Sequence, residues 1–190
     1  KYEAFLSALC REEYYFQKDS IYEILKFFFS DKYKNLWDLA KENYGVNDKL
    51  RQRFDTEKKY KEHLQLPEQK SCSIDLATGT GKSFVIYGLA QIMLAEGLVD
   101  QVLVLCPSRT IESGLTEKFV ALAGNKMLKK LLPKKSVLAN PRIVNATRTI
   151  KKGDICIENI HAVYKNTGSS IYDSLKDKGV RTLVLNDEAH

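Results

Sequence analysis

No apolar run in the 190 residues approaches the roughly 18 to 20 that a membrane-spanning helix requires. No such span is therefore expected. The opening stretch, KYEAFLSALCREEYY, has no basic segment followed by an apolar one and no small-residue cleavage site. It does not read as a secretory signal, and a cytoplasmic setting is the expectation. Cysteine is sparse: Cys10, Cys72, Cys106 and Cys156 lie far apart without a CxxC pair. That excludes a zinc site and a disulfide framework and leaves them as small buried hydrophobes in a reduced compartment, three of them in strand-like apolar stretches. His63 and His161 stand alone, without metal-ligand spacing. Internal repeats and low-complexity tracts are also missing.

What remains is the composition of an ordinary globular chain. The 44% hydrophobic content is enough for a real core, and the length favours one domain while being too short for two full lobes. The net charge of +6 draws on two basic stretches, 126–135 (KMLKKLLPKK) and 148–152 (RTIKK). A polyanionic partner is permitted by this and not proved, because such runs are usually solvated faces.

The first thirty residues read as helix, with Ile21, Ile24, Leu25 and Phe28 at three-to-four spacing behind Asp19 or Ser20. Residues 30–69 stay polar and helix-prone, with Gly45 as a capping glycine, and read as a helical insertion on the outside of the domain. After Pro67 apolar runs alternate with helical stretches, the pattern of βα units and a mostly parallel sheet. Strands are expected at 72–76, 101–106, 142–146, 154–158 and 182–186, and helices at 82–95, 110–123 and 170–178. The division expected is a helical region, 1–70, followed by an α/β domain, 71–190. More sheet ordinarily follows a motif such as the terminal Asp187-Glu188-Ala189-His190, so the chain reads as a fragment.

Two motifs carry chemistry. In SIDLATGTGKS an apolar run enters a glycine-rich turn and then a helix. Gly79 and Gly81 allow positive φ, so the amides of Ala77, Thr78, Gly79, Thr80 and Gly81 can surround phosphate oxygens at a helix start. Lys82 supplies a full charge, and the Ser83 hydroxyl can coordinate Mg²⁺. The strict pattern GxxxxGK[ST] wants glycine where this chain has Leu76. The second motif, TLVLNDEAH, is an apolar strand ending in adjacent carboxylates: Asp187 to hold Mg²⁺ and Glu188 to orient and deprotonate the attacking water. An exposed acidic pair in a turn is the plainer alternative, and the phosphate loop 105 residues upstream argues against it.

With these residues in place the chain resembles superfamily 2 helicases and translocases of the DEAH-box type, most closely the ATPase (Res) subunit of type III restriction enzymes and related prokaryotic defence helicases. ATGTGKS is similar to that family's motif I and DEAH to its motif II. EYYFQKDSIYEIL resembles the Q motif, which implies Gln17 as adenine reader. VLVLCPSRTIESGLTEKF resembles motif Ia, implying backbone contacts to nucleic acid from Pro107, Ser108 and Arg109; a plain strand-to-helix turn capped by Ser108 or Thr110 is the alternative. DICIENIHAVY resembles a later element facing the nucleic acid, implying Asn159 and His161. Arg148, Lys151 and Lys152 are further candidate phosphate contacts. The resemblance implies a RecA-like P-loop α/β domain using ATP and Mg²⁺, with a second RecA-like lobe, DNA as track, RNA as the alternative, and a modification or nuclease subunit as partner. A non-motor P-loop ATPase scaffold is the reading from another class.

Overall fold

The computed structural model describes residues 1–164 and 168–187. The chain divides into two compact units, one of Lys1–Lys18 with Thr78–His190 and one of Asp19–Ala77. The sequence pattern had a single boundary at 70/71. The difference arises because the first helix, α1 (Glu3–Leu9), buries Phe5, Leu6 and Leu9 and packs on α6 (Lys82–Ala95) and on α8 (Lys126–Leu131), both beyond the 70/71 boundary.

The α/β unit is built on four parallel strands: β1 (Gln101–Cys106), β2 (Arg142–Val144), β3 (Asp154–Asn159) and β4 (Thr182–Asn186), in the order β2-β3-β1-β4. β1 is central, and all six of its residues are buried, as a parallel strand covered on both faces must be. Leu103 sits opposite Cys156, and these two with Leu105 pack against Ala146, Ile150 and Ile171, the last from α9 (Ile171–Leu175). On the opposite face Val102, Val104, Ile155 and Ile157 are fully buried. α6 and α7 (Arg109–Gly124) lie against the sheet. Tyr87 of α6 meets Phe119 of α7 edge-on, ring centroids 5.1 Å apart.

The other unit holds the rest of α2 (Tyr15–Phe29) with α3 (Leu36–Val46), α4 (Asp48–Arg53) and α5 (Glu57–His63). Asn35, Asn47 and Thr56 cap the three short helices with side-chain oxygens. Its core is aromatic: Tyr44 stacks on Tyr60 at 5.7 Å, Phe54 lies 5.1 Å from Tyr60, and the Tyr44 hydroxyl donates to the Phe54 carbonyl at 2.7 Å.

Four expectations need correction. Residues 72–76 form no strand: the stretch makes no ladder bonds, and Cys72 and Ile74 are exposed rather than buried. Apolar alternation marks only a capacity for strand, and a ladder needs a neighbour. Gly45 does not cap α3, which runs on to Val46 and ends at Asn47, because Asn47 both closes that helix and opens α4. Asp19 and Ser20 do not start a helix, since α2 begins at Tyr15. Lys151 and Lys152 precede β3 and so lie at the sheet's opposite edge from the candidate nucleic-acid loops, where Lys152 pairs with Asp100 at 3.0 Å.

Candidate functional site

The phosphate loop takes the backbone its glycines allow. Gly79 has φ +82° and Gly81 φ +77°, both left-handed, and Gly81 is the N-cap of α6, so the loop delivers its amides to a helix start. Ala77, Thr78 and Gly79 are exposed and Thr80 is half-buried. Lys82 and Ser83 form the first turn of α6 and are half-buried. Only five residues separate α6 from β1, and the helix packs on that strand, so its N-terminus sits at the sheet's carboxyl edge.

Gln17 belongs to this loop. Its side chain is completely buried: Nε2 donates to the Thr80 carbonyl at 2.6 Å and Oε1 accepts from the Arg11 amide at 3.2 Å. One donor and one acceptor position of the amide remain.

Ser83 has a partner the sequence reading missed. Lys118 of α7 donates from Nζ to Ser83 Oγ at 2.5 Å and lies 3.9 Å from the centre of the Phe84 ring. Burial, and then the charge of Arg11, hold the Lys118 ammonium below the ordinary lysine range. A sequence signal existed: Lys118 stands three residues after Leu115 and four before Leu122, inside the helix's apolar stripe.

Because the strands are parallel, the loops after β1, β3 and β4 share one edge. Pro107, Ser108 and Arg109 follow β1 and are exposed. Asn159 and His161 follow β3, His161 exposed and Asn159 half-buried. Asp187 follows β4, and its amide donates to the Leu105 carbonyl at 2.9 Å. Glu188 and His190 lie outside the described residues. The Cys106 thiol is pushed up to about 12, first by burial and then by the carboxylates of Asp187, Glu112 and Glu158, which locates Asp187 beside the end of β1.

Two side chains at this edge serve the fold. Ser108 Oγ accepts from the Ile111 amide at 3.3 Å as N-cap of α7, and Asn159 Oδ1 accepts from the His161 amide at 2.9 Å. Glu112, in the first turn of α7, accepts from the Asn159 amide at 3.1 Å and so joins the two loops. Arg148 sits in the return connection from β2 to β3, lining the same recess as Arg142 and Asp154. Among the described residues no helix is long and apolar enough to cross a membrane, and no His, Cys, Asp and Glu group could hold a metal by itself.

The residues fit a phosphate ligand with its metal: left-handed glycines open a cradle at a helix start, and the Ser83 hydroxyl already presents its oxygen to a cation. The type III restriction enzyme res subunit family matches residues 12–190. No curated protein and no solved structure matches the chain. With the parallel sheet, the loop geometry and a match over nearly its whole length, the chain belongs to the type III restriction enzyme res subunit family and is a helicase-type, ATP-dependent motor domain.

Proposed function

We propose that the chain is the ATP-binding lobe, of DEAH-box type, of a motor that translocates on DNA within a type III-like restriction or defence enzyme. The observation that carries the reading is the left-handed Gly79-Thr80-Gly81 turn opening α6 at the carboxyl edge of a parallel sheet. Lys82 meets the β- and γ-phosphate oxygens, and Ser83 and Asp187 hold Mg²⁺. When bound, the metal neutralises charge on those oxygens. Glu188 orients the attacking water and takes its proton. Gln17 reads the adenine edge, its buried amide being uncovered as nucleotide enters. Pro107, Ser108, Arg109, Asn159 and His161 bear on the nucleic-acid backbone. A second RecA-like lobe completes the ATP site, and a modification or nuclease subunit is the expected partner.

Replacing Lys82 by Ala removes the phosphate-facing charge without emptying a core position. Hydrolysis is expected to vanish and nucleotide binding to weaken, with an unchanged melting curve. Unaltered turnover would sink the phosphate-loop assignment. Running the parent's ATPase with duplex DNA, single-stranded DNA and RNA identifies the track; stimulation by RNA alone would replace the DNA motor by an RNA helicase.

A further inference from the structure

Lys118 lies on the face of α7 that buries Leu115 and Phe119. An ammonium there needs partners to offset its lost hydration. Both partners belong to the first turn of α6: Ser83 Oγ, 2.5 Å away, and the Phe84 ring, 3.9 Å from Nζ to centroid. The stem runs along apolar surface while its head reaches the phosphate loop's hydroxyl. The same helix carries Arg109 at its start and Glu112, which accepts from the Asn159 amide. Lys118 therefore ties the metal-binding end of α6 to the helix that holds the two candidate nucleic-acid loops.

A divalent cation on Ser83 Oγ and an ammonium on the same oxygen are like charges at contact distance, and they repel. We propose that Lys118 is a built-in cationic placeholder for Mg²⁺. Its ammonium holds the Ser83 hydroxyl, and a metal binding to that oxygen requires Lys118 to let go. This rests on the reading of Ser83 as a metal ligand. The Phe84 face, already in contact, gives the released ammonium a nearby resting place.

The test uses Mn²⁺ as a spin probe for the metal, titrated into the chain with saturating ADP, alongside ADP titrations in excess chelator. Lys118→Met keeps the stem and removes the charge. It is expected to bind Mn²⁺ in the ADP complex about tenfold more tightly, the lower end of what a hydrogen bond to a charged group carries, with metal-free ADP affinity little changed. Lys118→Arg keeps the charge and should match the parent. Lys118→Gln, neutral but still a donor, gives the same reading should the Met variant fold poorly. Unchanged Mn²⁺ affinity in the neutral variants overturns the placeholder, and a joint fall in Mn²⁺ and metal-free ADP affinity overturns it by making Lys118 a phosphate ligand. A parent that binds no ADP removes the phosphate-site reading and the placeholder together, whereas ADP binding with indifferent metal affinity removes the placeholder alone.

Discussion

With none of its side chain exposed, Gln17 must find its hydrogen bonds inside the protein, and it finds them on Thr80 and Arg11. Truncation to Ala removes both hydrogen bonds together with the buried side chain that makes them, at a cost of about 1–3 kcal/mol. Gln17→Ala should therefore lower the unfolding free energy by that amount in urea titrations. If the amide also reads the base, the variant loses more affinity for ADP than for GDP. Equal losses would confine Gln17 to shaping the loop. The aromatic-Gln pattern marked the residue in the sequence, but its bond to Thr80 spans 63 positions and is a product of packing.

At the scale of the element, the phosphate loop offers a comparison between two glycines of nearly the same φ. A side chain at Gly79 meets nothing within 4 Å, so Gly79→Ala bears only the left-handed backbone penalty, roughly 1–2 kcal/mol. At Gly81 a Cβ would collide with Gln17 Nε2 and lie 3.1 Å from the Phe84 ring. Gly81→Ala is therefore expected to destabilise the chain more than Gly79→Ala and to loosen the Gln17–Thr80 bond. Thermal melts of the two variants check the order, and equal melting temperatures would contradict it. Strand and helix extents were largely legible: β1, β4 and α6 fall where alternation and helical period predict them. These elements have dense, uninterrupted patterns, whereas 72–76 alternates without finding a neighbour, since pairing is not a property of one segment.

For the whole molecule, parallel strands gather one set of loops at the carboxyl edge and send the preceding ones to the other edge. Arg109 stands at the first edge and Lys152 at the second, paired with Asp100. Contacts to a phosphate backbone position without reading bases, and their strength falls with salt. Arg109→Ala in the intact protein should reduce DNA-stimulated ATPase far more than basal ATPase and flatten the salt slope of DNA binding by about one unit. Lys152→Ala, at the opposite edge, should alter neither. Should Arg109→Ala depress basal and stimulated turnover equally, the arginine would belong to the nucleotide site or the fold.

The class of the fold, the glycine turn at the head of α6 and the acidic residue after β4 are legible in the sequence, because each depends on residues close together along the chain. Apolar period sets strand or helix, and left-handed backbone falls where glycine stands. Only the tertiary structure decided that α1 joins the α/β unit, that Gln17 grips Thr80, that Glu112 bridges the loops after β1 and β3, and that Lys118 occupies the Ser83 hydroxyl. The last three are contacts between side chains or backbone groups 35 to 63 positions apart. Their partners are chosen by the order of strands and the faces helices turn to the sheet, which no local pattern encodes.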